Sequence, residues 1–280
     1  MSINRTWSIA LIAAIYVLAA VAGVFVFRAA AASMPELWAL FLADVVATVV
    51  VWAFGLVFRN VSVYDPYWSV APPVMFTVWA FYKGCFTLPV VLLLIAVWYW
   101  GIRLTGNWAA TFKGMDHEDW RYTQYRDTQS PALFHITNFF GLNMMPTVLV
   151  FFCMLSGFGL YGDGAASALT WLGFIVCLAS ATIQLVADTQ IHRSRREHPG
   201  QFCNVGLWKH GRHPNYFGEI QMWWGVWLMY ASLHGLDWHI LAPLAMTALF
   251  LFISIPMMEK RQLARKPGYA DYRKQSRMLI

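Results

Sequence analysis

The chain has 280 residues, 59% of them hydrophobic and only 12% charged, with fifteen tryptophans and a formal net charge of +6. A soluble domain carries about a quarter charged residues, so the composition excludes an ordinary soluble fold and indicates a membrane protein. Cys85, Cys153, Cys177 and Cys203 form no CxxC pair and show no metal-ligand spacing, so they supply neither a disulfide framework nor a metal motif.

Apolar runs of spanning length fall near residues 7–28, 37–58, 66–82, 86–104, 133–159, 166–188, 215–233 and 239–257. They predict an all-α, polytopic transmembrane bundle of seven to eight spans. The first run, with Arg5 ahead of it and RAAAASM behind, is shaped like a signal peptide. At about twenty residues it outlasts the usual apolar region of roughly 7–15, and it reads as a retained first helix. The second run carries Asp44 in LADVVAT, an ionisable group at a depth where such groups default to function. It pairs with another helix or faces a cavity.

The third run is short and interrupted by Pro66, Pro72 and Pro73, which suits an irregular or re-entrant segment. At its mouth, in DPYWSVAPP, Asp65 either caps the helix ahead of Pro66 or, kept neutral by desolvation, acts as an acid with Tyr99. Tyr99 lies in VWYWGIR of the fourth run, with Arg103 one turn on. The following segment, 105–132, contains EDWRYTQYRD, with Glu118, Asp119, Arg121, Tyr122 and Arg126. It reads as a solvated charged loop or as a cover for a cofactor. Between the fifth and sixth runs, GFGLYG matches GxGxxG. It lacks the preceding strand that a dinucleotide fingerprint requires, so it is expected to be a turn.

The sixth run ends in DTQIHRSRR, where Asp188, His192 and Arg195 share one helical face at i, i+4 and i+7. An arginine there suits a phosphate, or a lipid headgroup. The seventh run opens in GLWKHGRHPNYFGEIQMWWG. Pro214 suits a first helical turn, whose free N–H groups attract an anion. Arg212 and His213 precede it, Tyr216 follows, and Asn215 and Glu219 fall one above the other with Gly218 leaving room for close approach. The tail after the last run, 258–280, holds Glu259, Arg261, Tyr269 and Tyr272.

With eight spans and the N-terminus inside, eighteen of the twenty Lys and Arg fall on the cytoplasmic side, Arg28 and Lys83 being the exceptions. That satisfies the positive-inside rule with both termini cytoplasmic, and it explains the basic charge without a nucleic-acid partner. The polar clusters at 188–195, 212–219 and 259–272 then describe a cationic vestibule beneath apolar helices. A charged nucleotide cofactor and a lipid-soluble substrate would use such a site. No obligate protein partner is expected.

The motifs DTQIHRSRR, GLWKHGRHPNYFGEIQMWWG and the closing E-x-R…GYADYRK resemble the steroid 5-alpha-reductase family, specifically its DUF1295-type bacterial branch. The likeness covers most of the chain. It implies one membrane domain over 1–280, with an extra helical hairpin over 1–60 and a reductase-like core over 61–280. The cytoplasmic parts would be 105–132, 189–214 and 258–280. It further implies an NADPH-dependent oxidoreductase of the bacterial inner membrane, acting like a 3-oxo-5-alpha-steroid 4-dehydrogenase on an activated C=C bond in a lipid. By this resemblance, Asp188, His192 and Arg195 hold the adenosine-phosphate part of the cofactor, and Asn215 and Glu219 lie along its ribose and nicotinamide. Arg212, His213, Tyr216, Glu259, Arg261 and Tyr272 complete the cofactor site. DPYWSVAP and WYWGIR are similar to the segments holding the family's catalytic carboxylate and tyrosine, which assigns polarisation of the substrate carbonyl to Asp65 and Tyr99. The carboxylate is Asp here where the family usually has Glu. RHPNYFG with Glu259, Leu263, Tyr269 and Tyr272 also resembles the isoprenylcysteine and phospholipid methyltransferases, for which S-adenosylmethionine would be the cofactor. A lipid carrier is the non-enzymatic alternative.

Overall fold

The computed structural model describes residues 4–162 and 164–280, and the described residues are mostly helical, without a β-strand. In chain order the main helices are α1 (Arg5–Ala30), α2 (Glu36–Val57), α3 (Tyr67–Lys83), α4 (Leu88–Thr111), α5 (Trp120–Thr128), α6 (Pro131–Phe158), α7 (Ala168–Glu197), α8 (Pro214–His234), α9 (Trp238–Arg265) and α10 (Tyr269–Gln275). Six are long and apolar enough to cross a membrane: α1, α2, α4, α6, α7 and α9. Helix α3 is shorter, at 17 residues. Helix α8 has 21 residues, but Asn215, Glu219 and Gln221 lower its hydropathy.

The irregular segment expected at 66–82 is instead a continuous helix with Pro72 and Pro73 inside it. Adjacent prolines remove only two N–H donors near the helix start. The Ser69 hydroxyl, bonded to the Pro66 carbonyl at 3.0 Å and to Thr105 at 2.9 Å, keeps that turn in place.

The chain divides into two compact units. The first comprises the described residues up to Val74 together with Leu104–Phe152. Here α1 packs along α2, with Ile12, Ile15, Ala19, Ala47 and Val51 in their shared core. The segment 105–132 is no solvated loop. It folds into α5, and Asn60 donates to the Met115 carbonyl at 2.7 Å. Glu118 accepts from the Val61 N–H at 2.8 Å and pairs with Arg126 at 2.8 Å. Its charges therefore dock the segment onto its own unit.

The second unit comprises Met75–Arg103 and Cys153–Ile280. Its centre is the long contact between α7 and α8. A Cβ built at Gly218 would lie 2.4 Å from Gln184 Cγ, and one at Gly225 would lie 2.5 Å from Cys177 Sγ and 2.8 Å from the Gly173 carbonyl. These glycines let the two backbones approach, the usual device between helices in lipid. The room left by Gly218 is thus filled by α7. Helix α7 starts with a reciprocal cap, in which Ser167 accepts from Thr170 N at 3.4 Å and Thr170 accepts from Ser167 N at 2.9 Å. The GxGxxG match is a helix end and turn whose glycines make room for rings, Phe76 at Gly157 and Tyr230 at Gly159.

Candidate functional site: a cationic, aromatic vestibule

A cavity of about 120 Å³ opens in the second unit where α7 and α9 end and α8 and α10 begin. Pro214 at the first position of α8 fixes where that helix begins. This brings His213, Asn215 and Tyr216 to the cavity wall. Gly268, at φ +77°, turns the chain from α9 into α10, a left-handed conformation that glycine tolerates. Tyr269 and Tyr272 thereby reach the opposite wall, with Phe202 stacked on Tyr272 at 4.8 Å. His213 and Tyr216 lie nearly parallel, 5.3 Å apart with 7° between their planes.

The cations differ in availability. Arg212 is held within the fold: its Nε pairs with Glu259 Oε1 at 2.7 Å, and its Nη1 donates to the carbonyls of Arg273, at 3.0 Å, and Ser276. Its backbone N–H donates to the Arg277 carbonyl at 2.9 Å. Tyr272 donates to the Trp208 carbonyl, and Arg273 pairs with the other Glu259 oxygen at 3.0 Å. Arg212 and Glu259 therefore strap the tail onto the preceding loop. Arg195 is exposed at the cavity mouth. Lys266, also on the wall, donates to the Gln201 carbonyl at 2.9 Å. Partial removal from water lowers the Lys266 pKa, and Arg195 and Arg261 lower it further by repulsion. Burial pushes His213 down to about 4, with Glu259 only partly opposing, so its ring is neutral at physiological pH. Burial pushes Tyr272 up to about 12.

Behind the wall lies a buried network. Arg103 pairs with Asp188 at 2.8 Å and also donates to Gln184. Gln184 passes a hydrogen bond to Glu219 Oε2 at 2.9 Å. Trp100 donates to the same oxygen at 2.9 Å and Trp223 to Oε1 at 3.1 Å. These three N–H donors lock the Glu219 carboxyl between α4, α7 and α8. Asn215, on the cavity wall, lies near Asp188 of this network.

Of the side chains that the sequence proposed for the cofactor, Arg195, Arg212, His213, Asn215, Tyr216 and Tyr272 line the cavity. Asp188, Glu219 and Glu259 stand behind it as buried braces, and His192 and Arg261 are not among the lining residues. Asp65 belongs to the first unit, where Tyr122 donates to its carboxyl. Tyr99 belongs to the second, its hydroxyl 3.1 Å from that of Thr182. The sequence reading missed Phe202, Trp208 and Lys266 on the wall, and Trp100 and Gln184 behind it. Phe202 and Trp208 carried a signal, as large aromatics in an otherwise polar stretch. Gln184 precedes Asp188 by one helical turn, a second usable signal.

Among the described residues no group of three His, Cys, Asp or Glu could hold a metal ion. Comparison with curated proteins and with solved structures returns no match. A family model does match, over residues 51–276, from within α2 to just past α10. The chain therefore belongs to the family described as "Protein of unknown function (DUF1295)".

Proposed function

We propose that this chain is a membrane-embedded, NADPH-dependent reductase of an activated carbon–carbon double bond in a lipid-like substrate, related to the steroid 5-alpha-reductases. The observation that carries the reading is the cavity's chemistry. Arg195 and Lys266 face it with no carboxylate on the lining, next to the flat, neutral His213–Tyr216 pair. That combination suits a ligand bearing both phosphates and an aromatic ring. S-adenosylmethionine instead brings a sulfonium cation, which such a wall repels. The cavity's volume suits one ring or phosphate group, so a dinucleotide would extend beyond it along the mouth.

In this reading Arg195 and Lys266 hold phosphate, the stacked His213–Tyr216 pair packs against a ring, and Asn215 meets an amide. Asp188, Glu219 and Glu259 keep these groups in place. The cofactor, when bound, supplies hydride to the carbon β to a carbonyl. By the family resemblance, Tyr99 and Asp65 are the groups that polarise that carbonyl, and preorganised donors of this kind contribute about 10²–10³-fold each. Helices α3 and α8 join the six apolar helices to give eight crossings, with both termini cytoplasmic in a bacterial inner membrane. The lipid substrate enters from the bilayer, and neither nucleic acid nor an obligate protein partner takes part.

The test is ligand-dependent melting of the detergent-purified chain with NADPH, NADH, S-adenosylmethionine and S-adenosylhomocysteine. A ligand that binds only the folded state stabilises it by about 2.7 kcal/mol at a hundredfold excess over Kd. NADPH is expected to raise the melting temperature, with a smaller rise in Arg195→Ala and Lys266→Ala. These two positions are chosen because neither braces the fold as Glu219 does. A rise with the methionine-derived ligands alone would make the protein a methyltransferase.

A further inference from the structure

Asp44 lies in the first unit, about 12 Å into the 22-residue α2 at 1.5 Å per residue. It is 6% exposed. The Tyr67 hydroxyl donates to its Oδ1 at 2.7 Å. Tyr67 is itself held between Tyr16, edge-on at 5.6 Å, and Tyr64 at 5.4 Å.

The hydroxyls around this pair satisfy one another. Tyr64 and Thr48 meet the Thr147 hydroxyl at 2.7 and 2.9 Å, and Thr147 passes its proton to the Asn143 carbonyl at 3.0 Å. Asp44 is the exception. Among the described residues its second oxygen, Oδ2, has no hydrogen-bond partner and the carboxyl has no ion-pair partner. An ionised carboxylate without a counter-ion is costly to bury, whereas the neutral acid is much cheaper. The neutral acid with Oδ1 occupied by Tyr67 has one unused group, an O–H on Oδ2. Its complement is an acceptor that brings no proton of its own.

We infer that Asp44, oriented by Tyr67, is a binding site for the uncharged carbonyl oxygen of a membrane-dissolved lipid. The site needs neither a nucleotide nor turnover, so it stands apart from the cofactor reading and survives if that reading fails. It is also distinct from Asp65, whose carboxyl is held by Tyr122 and lies near Arg121.

Infrared difference spectroscopy on the detergent-purified full chain, without nucleotide, tests it with tridecan-2-one as probe and tridecane as its oxygen-free control. The wild type is expected to show the carbonyl stretch of a protonated carboxylic acid that is absent in Asp44→Asn. The ketone, but not the alkane, should shift that band, and the ketone's own stretch should move to the hydrogen-bonded position. Asp44→Leu should lose the ketone shift, while Asp44→Asn, which still donates through N–H, should retain part of it. Should Asp44→Leu fail to fold, the wild-type bands and the Asn variant decide alone. An acid band indifferent to the ketone would mean that the carboxyl serves packing or a buried water only, and would overturn the inference. So would a ketone shift that persists unchanged in Asp44→Leu.

Discussion

The Asp65 carboxyl lies just ahead of α3, partly buried, with Tyr122 donating to it and Arg121 near by. Removal from water outweighs both and raises its pKa from 3.8 to about 6. The folded state therefore keeps the proton across a window in which the unfolded chain has lost it. The stabilisation by that proton is complete below 3.8, declines as pH rises toward 6, and is gone above. The melting temperature of the wild type minus that of Asp65→Asn should fall across this window and be flat beyond it. Each pH unit there is worth up to about 1.4 kcal/mol. A flat difference from end to end would show that the carboxyl binds its proton equally in the folded and unfolded chain. Asp65 and Glu219 were both legible in the sequence, because a carboxyl at the mouth of an apolar run, or just inside one, is costly and visible. Their partners were less so. Trp100 and Trp223 read as membrane filler until the fold turns their indole N–H groups onto Glu219.

Glycine spacing decides how α7 meets α8. In the sequence Gly218 left room for a close approach, and the group that approaches is α7, through Gln184 and the Ser180 carbonyl. Composition shows that a small residue permits close approach, but not which partner approaches. Gly225→Ala should destabilise the protein by about 1–3 kcal/mol through overpacking, since its Cβ would lie 2.5 Å from Cys177 Sγ. Gly106→Ala in α4, where nothing lies within 4 Å, should be neutral or gain up to about 1 kcal/mol from helix propensity. Thermal melts of the pair would separate close packing from glycine content, and equal effects would refute the account. The positions of the apolar helices were well marked by the runs of spanning length. Helix α5 was not, because WRYTQYRDT is short and mostly polar, and it is held by single contacts such as Tyr122 to the Asp65 carboxyl.

At the scale of the whole chain, the charge asymmetry makes a directional prediction. A membrane-impermeant amine reagent applied to intact cells should modify Lys83 and spare Lys113 and Lys260, all three exposed; after permeabilisation all three should react. Labelling of Lys113 from outside would refute the eight-crossing topology. The vestibule as a whole was legible as three clusters at one end of the apolar runs, because charge is costly within a bilayer and gathers at its faces. Its division into open wall and closed strap was not, since Arg195 and Arg212 look alike in sequence and differ only in what surrounds them. That strap has a consequence for biosynthesis. Chains emerge from the ribosome N-terminus first, so Arg212 is made well before Arg273, Ser276 and Arg277, whose carbonyls it binds. Until those residues appear, its guanidinium has only Glu259 to satisfy it, and α10 cannot wall the cavity. The vestibule is therefore assembled last, after the helices around it have been threaded into the bilayer, and a nascent chain interrupted before Arg273 would be inserted but would lack a finished site.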